Sequence, residues 1–348
     1  MAESCTVRAP FDDADADIIL RSADHFDFRV YKVILAKASP VFRDMFTLPE
    51  GSNTAAGETQ VVPLTESGDA IEGLLRMCYP VERPAFATLD ELLPVFTAAK
   101  KYNLAVVTSA LARALDGLLP TAAPQRLYAI ALLHDMPALA RRAARALLRD
   151  PAFLAPPTMP PEYRALAGDA FYVIARYRAQ CLAAALAVVD DREWDFSGDH
   201  AHMMMYSNKG NPHLHSTWIW YACEDPLCTP DKSLGRFVGK KQGGQMLCPR
   251  LWWSCYVSML REALHAGTVD GCVATNPKIQ KPALHDAAQC ATCAPKAEQQ
   301  LATFAQALEM RINAAIDNIN LALPQDLYTV DEKEPLLTPS ATPIAQDP

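Results

Sequence analysis

The stretch 17-DIILRSADHFDFRVYKVILAKASPVFRDMF-46 decides how the first third of the chain is read. Ile18 to Arg21 is a short apolar run. Phe26, Phe28 and Val30 then alternate with Asp27, Arg29 and Tyr31, the period of two that a half-buried strand requires. Ser22 to His25 is left as the turn between them. From Lys32 the period changes: Ile34, Ala38, Val41, Phe42, Met45 and Phe46 fall at helical spacing, and Pro49 and Gly51 close the segment. The pattern is a hairpin feeding straight into one amphipathic helix.

Working outward, Met1 to Ala16 is short and turns acidic, and is expected to be mobile, offering an edge for pairing in a dimer. Gly51 to Thr59 is loop composition, and Val61 to Leu64 reads as a short third strand. A helix after Asp69 carries Ile71, Leu74, Leu75 and Cys78 inward, Cys78 being read as a core thiol. Leu89 to Tyr102 and Leu104 to Leu119 are two further amphipathic helices. Pro94 is tolerated only in a first helical turn, which sets the start of the first of them near Glu91 or Leu92.

The series Asp17, Ile18, Phe28, Lys32, Leu35, Ala36, Ser39, Phe42, Met45 and Phe46 resembles the opening of a BTB/POZ domain, with Tyr31 standing where that family usually has His. Leu92, Val95, Ala98, Ala99, Lys101 and Tyr102, followed by Leu104, resemble the paired helices that end its core. The resemblance implies an α+β BTB/POZ domain over residues 17–120. It also implies a non-enzymatic protein–protein interaction module that associates with itself as a homodimer, and a role as substrate adaptor for a cullin-based ubiquitin ligase. In the family the first strand and first helix lie at the self-association face, which makes Ile18, Phe28, Val33 and Val41 the expected contact residues. Leu89, Asp90 and Glu91 fit the form of a hydrophobic residue, any residue and Glu that often precedes the cullin-binding helix, so Leu89 and Glu91 are the expected cullin contacts. An acidic helix N-terminus meeting the macrodipole has the same composition.

At 348 residues the chain is long enough for two or three domains. A net charge of −8 argues against a general phosphate-binding surface, so nucleic acid is not expected as a partner. Residues 121–195 read as a helical extension: Gln125 to Met136, Pro137 to Leu148 and Tyr163 to Val189 are helical in period, with the proline-rich 151–161 between. Arg141, Arg142, Arg145 and Arg149 are read as a solvated helix face. No basic and apolar leader stands at the start and no uninterrupted apolar run reaches spanning length, so no membrane partner is expected and the protein is placed inside the cell, in cytoplasm or nucleus.

Seven of the ten cysteines fall after residue 220, and residues 196–322 read as a cysteine-rich region ending in a long helix from Lys296 to Leu321. Asp190 to Ser216 reads as a long connection whose His200, His202, His213 and His215 are taken as surface histidines. Trp218 to Cys223 is aromatic and strand-like, and Leu251 to Leu264 is a Trp-rich helix. Cys223 and Cys228, with Cys290 and Cys293, supply two pairs of closely spaced thiols, which are the donors of a closed, tetrahedral structural zinc site. Cys248, Cys255, Cys272, His265 and His285 are alternative ligands. Metal binding there would be folding energy for a region poor in regular structure. This cysteine-rich tail is similar to that of BTB proteins expanded in fungi. Its target protein is not readable from the sequence.

Two other functional classes stand beside this one. A transcriptional regulator or nuclear scaffold using the cysteine-rich region would need a basic helix, and the helix after Cys293 sets Lys296 and Arg311 against Glu298, Glu309 and Asp317. For an enzyme, metal-dependent or thiol-based, the sequence offers no P-loop, nucleophile elbow, His-Glu-x-x-His helix or dinucleotide glycine fingerprint, and it indicates no particular catalytic Cys and His pair. Four thiolates around one metal also leave no open position for a water. Residues 323–348 are proline-rich, acidic and aperiodic, and are expected to be disordered.

Overall fold

The hairpin is present where the alternation places it. In the computed structural model, which describes residues 5–6, 9–47, 59–191, 204–206, 214–216, 218–238 and 245–328, β2 (Ile18–Arg21) and β3 (Phe26–Val30) pair antiparallel, with Ile18 opposite Val30 and Leu20 opposite Phe28. These four side chains are buried. On the other face Arg21 and Asp27, also opposite one another, close a two-point ion pair at 2.6 and 2.7 Å. β1 (Cys5–Thr6) and β4 (Val61–Pro63) add in parallel, giving the order β1-β3-β2-β4.

The N-terminal stretch is more integral than its composition suggests. Phe11 is buried, packs edge-on to Phe28 and Tyr79, and its carbonyl accepts from the Arg29 N–H. An aromatic side chain at that position is removed from water with the core, which outweighs the mobility expected of a terminal segment.

The helix after the hairpin is two helices. α1 (Lys32–Ala38) ends at Ser39, whose backbone is extended, and α2 (Pro40–Met45) begins at the next residue. A residue before proline is pushed out of the helical region, so the Ser39-Pro40 step breaks what the apolar period alone would run together. Ser39 Oγ then caps α2 by accepting from Phe42 N at 3.0 Å. At the start of α1 the N-cap residue Tyr31 makes no side-chain cap, and Asp17 takes over that task by accepting from Lys32 N at 2.7 Å. α3 (Gly68–Cys78), α4 (Leu89–Lys101) and α5 (Ala105–Gly117) complete the core. A Cβ on Gly73 would lie 2.8 Å from Val95 Cγ2, so its absence lets α3 approach α4 closely.

α4 starts at Leu89, earlier than Pro94 would suggest. Thr88 Oγ1 accepts from Glu91 N, and the Glu91 carboxylate accepts from Ala87 N at 2.9 Å, a reciprocal cap that fixes the start and leaves Pro94 inside the helix.

The chain divides into two compact units, Met1–Leu127 and Tyr128–Pro348. α6 (Pro124–Leu133) spans the division. The second unit contains α7 (Pro137–Leu147), α8 (Gly168–Asp190), the hairpin β5 (Met204–Tyr206) with β6 (Leu214–Ser216), α9 (Ile219–Ala222), the hairpin β7 (Arg236–Val238) with β8 (Gln245–Leu247), α10 (Leu251–Ala266), α11 (Pro277–Ala287) and α12 (Ala294–Asp317). The expected domain break near residue 195 is not a break between compact units. α8 packs along α12 and α10 and buries Ala170, Val173, Ile174, Tyr177, Cys181 and Ala185, so helical extension and cysteine-rich region share one core.

By length and composition α8 could cross a membrane, which the sequence reading missed because Arg176 and Arg178 interrupt its apolar run. α8 packs against α10 and α12 along one face, with a third of its apolar window buried. Trp218 to Cys223 is a helical turn, not a strand, and β5 and β6 lie within the expected connection. His200, His202 and His213, and the tail beyond residue 328, lie outside the described residues.

Candidate functional site

The four thiols singled out from spacing converge in the second unit. The sulfurs of Cys223, Cys228, Cys290 and Cys293 all lie within 4.8 Å of one another, and this is the metal-capable cluster found among the described residues. Cys223 Sγ is 3.6 Å from Cys290 Sγ, and Cys228 Sγ is 3.8 Å from Cys293 Sγ. A tetrahedron with metal–sulfur bonds of about 2.3 Å has edges of about 3.8 Å. A disulfide would need about 2.05 Å. The two measured spacings match tetrahedral edges, and the four sulfurs lie close enough together to share one ion. Cys248, Cys255, Cys272, His265 and His285 are not members of the cluster.

Local structure explains why these four meet. α9 ends at Cys223, whose N–H donates to Ile219 O, and Ile219 N is held by Gln300 Oε1 of α12 at 2.6 Å. Asp225 folds the loop between the first two thiols: its Oδ1 accepts from Leu227 N at 2.9 Å and its carbonyl accepts from Cys228 N at 3.1 Å. The guanidinium of Arg250 donates to the Cys228 carbonyl at 2.6 Å. The second pair sits between α11 and α12, where Cys293 N points back at Cys290 Sγ at 3.4 Å. Cys293 is also the N-cap of α12; its side chain makes no cap, and the first N–H groups of the helix donate to the Cys290 and Cys293 carbonyls.

Titration of the cluster is shared. Burial raises the Cys223 thiol, but the Asp225 N–H and the three neighbouring thiols more than offset it, so Cys223 is the one held below the ordinary value. Burial pushes Cys228 up to about 12, with the Cys223 charge adding to it, and burial likewise raises Cys293, with the Trp252 indole pulling the other way. Negative charge on one of these sulfurs raises its neighbours, an opposition that a bound dication would remove.

An aromatic core backs the site. Trp220 stacks on Trp218 and Trp253 at 4.6 and 5.8 Å between ring centroids and meets Trp252 edge-on, while Phe304 of α12 touches Trp218, Trp220 and Trp253. All four tryptophans are buried.

The sequence missed a second convergence in the same unit. Asp270 is completely buried and accepts from Arg145 Nη1 at 2.7 Å, Arg149 Nε at 3.0 Å and Cys272 N at 3.0 Å. Arg145 also reaches Asp317 and Asn313 of α12. Two of the arginines expected on a solvated face are thus ion-paired, and their charge is not free for a polyanion. Gly271 follows, where a Cβ would stand 2.3 Å from the Glu309 carbonyl oxygen, so only glycine lets this turn lie against α12.

In the first unit the expected contact residues separate. Ile18, Phe28 and Leu89 are buried within the chain at 0, 1 and 4 % exposure, because their strand and helix faces form the core. Val33 is exposed at 62 %, and Val41 is half-buried. Val33 borders an open hollow of about 450 Å³ with Ile34, Lys37, Ala38 and Cys78, where burial raises the Cys78 thiol to about 11. Glu91 is exposed, yet its carboxylate is engaged in capping α4. It lies on a groove of about 660 Å³ between α3 and α4, lined also by Glu72, Gly73, Arg76, Phe86 and Asp90.

A family model for the BTB/POZ domain matches residues 11–118, beginning at the buried Phe11 and ending just after α5. No curated protein matches the chain.

Proposed function

We propose, from the BTB/POZ domain that residues 11–118 form, that this chain is a non-enzymatic assembly protein that pairs with a second copy of itself and delivers a bound target to a cullin scaffold inside the cell. The domain match is the observation that carries this reading, since the domain is a protein–protein interaction module. Exposed Val33 beside the hollow at α1 supports self-association, because an apolar side chain at that exposure gains by being covered. The α3–α4 groove with Asp90 and Glu91 on its rim supports a docked helix from a scaffold.

The second unit, on this reading, is a target-binding module fastened by structural zinc on Cys223, Cys228, Cys290 and Cys293. Four soft donors at tetrahedral-edge spacing support zinc, and four sulfurs leave no coordination position for chemistry. A reducing compartment, cytoplasm or nucleus, accords with thiols kept as ligands.

Light scattering tests the first step: a dimer at micromolar concentration that Val33→Asp converts to monomer is expected, and a strict monomer overturns it. Retention on an immobilised cullin N-terminal domain, lost in Glu91→Ala without loss of helix content, tests the second. Metal analysis of the purified protein should return one zinc per chain, absent from the double variant Cys290→Ser and Cys293→Ser. A folded, metal-free wild type would sink the zinc assignment.

A further inference from the structure

The loop that joins the first two thiols also carries a protruding leucine. Leu227 is 90 % exposed. Its backbone is nonetheless fixed, by Leu227 N on Asp225 Oδ1, Cys228 N on Asp225 O and Arg250 on Cys228 O. Leu251, the first residue of α10, is 50 % exposed. Both border one cavity of about 200 Å³, with Trp252, Asp225, Asp286 and Gln289. Small-molecule sites start at roughly 300 Å³ and enclose their ligand more fully. This cavity has room for one side chain.

Its chemistry selects which side chain and which neighbours. The apolar contribution comes from two leucines and an indole, so an aliphatic or aromatic group is what gains by entering. The charged contribution comes from two carboxylates, the exposed Asp286 and Asp225, whose Oδ1 accepts from Leu227 N and whose Oδ2 accepts from the Cys290 thiol, with Glu224 exposed next to Asp225. Arg250, a cation bonded into this loop, donates to the Cys228 carbonyl, and its charge also acts on Asp225. Cys228 and Cys290 lie in the same wall, and four thiolates around a dication would keep a net negative charge there.

We propose that this cavity is a docking site for a segment of a partner protein that inserts one apolar side chain flanked by Lys or Arg. Leucine entry is driven by the apolar floor, and the flanking cations meet the exposed Asp286 and the negative edge to which Asp225 and Glu224 add. The posture of the loop is held by its own hydrogen bonds, whereas the charge assigned to Cys228 and Cys290 rests on the zinc reading above.

The test uses the full chain with labelled leucine methyl groups and three nine-residue synthetic peptides in a Gly/Ser background: a central Leu flanked by Lys, the same Leu flanked by Glu, and a central Ser flanked by Lys. The Lys-flanked Leu peptide is expected to shift the Leu227 and Leu251 methyl resonances and to bind about tenfold more tightly than the other two. Leu227→Ser and, separately, Asp286→Lys should each weaken it by about tenfold; both positions are exposed, so folding is unaffected. Equal binding of the Glu-flanked peptide, binding indifferent to Leu227→Ser, or no methyl shift with any peptide at millimolar concentration overturns the proposal. So does a shift that grows with protein concentration alone, which would assign the face to a second copy of the chain. Zinc is measured on the same sample: peptide binding without zinc sinks the zinc reading alone, and zinc without peptide binding sinks this one alone.

Discussion

Asp270 shows how much a single side chain can hold. Burial pushes its carboxyl up, but the Cys272 N–H and the Arg149 and Arg145 guanidinium groups pull harder, and the net position is below the ordinary value. A carboxylate with a depressed folded-state pKa contributes stability that is complete above its unfolded value, about 3.9, and is lost as pH falls through the lower folded value. Asp270→Ala removes the partner of a largely buried Arg145 and should cost the second unit about 3 kcal/mol in denaturant unfolding at neutral pH. Asp270→Asn should flatten the acid limb of the stability curve below about pH 4. An acid limb identical to wild type would show that the arginines are satisfied elsewhere. Gly271→Ala should destabilise by roughly 1–3 kcal/mol, because its Cβ meets backbone rather than a side chain that can turn away. Nothing in the sequence announced this site. Arginines at outward helical positions look alike whether they face water or a carboxylate more than a hundred residues on, and only the fold distinguishes them.

At the level of elements, local chemistry that was legible was partly outweighed by pattern. The hairpin followed from alternation, and its two strands occupy the expected residues because burying one face leaves a single register. The break at Ser39 was written in the Ser-Pro step, yet the apolar period across it continues and reads as one helix. Thr88 and Glu91 likewise announced the start of α4, against the weight given to Pro94. α11 went unread although Asn276 and Pro277 make an N-cap and first turn, since Pro282 interrupts its interior and few of its residues are apolar. Trp218 to Cys223 is a helical turn because Cys223 N must reach Ile219 O to aim its sulfur at the cluster. Ser39 tests the first of these junctions. Its hydroxyl accepts from Phe42 N and donates to the Tyr102 carbonyl, and the residue is buried. Ser39→Ala should cost about 2 kcal/mol, the cap plus an orphaned carbonyl, where an exposed cap would cost about 1. Equilibrium urea unfolding followed by far-UV circular dichroism measures it. A loss under 0.5 kcal/mol would mean that α2 is held by Phe42 stacking on Tyr102 alone.

Across the whole molecule the two compact units are stabilised by different means, and that difference is measurable. Residues 1–127 close a core of sheet and helices with no metal-capable cluster among their described residues, whereas residues 128–348 contain the four thiols. The cysteine spacing made the four-thiol cluster legible, because thiols close in sequence can share a tetrahedron. What it withheld was the size of the unit they hold, since α8 joins that core from before the presumed break. If metal binding to a thiolate set is folding free energy, its removal should act only on the second unit. All five tryptophans, Trp194, Trp218, Trp220, Trp252 and Trp253, lie in residues 128–348, so tryptophan emission reports that unit alone. A membrane-permeant zinc chelator, added to the reduced protein, should lower the thermal midpoint followed by tryptophan emission by well over 10 °C, given that several kcal/mol are withdrawn and roughly 1 kcal/mol moves a 200-residue unit by 2–4 °C. A second step, seen by far-UV circular dichroism and carried by the helices and sheet of residues 1–127, should stay where it was. Midpoints that fall together would show the units to be one cooperative structure, and midpoints that do not move would show that the four thiols pack without an ion.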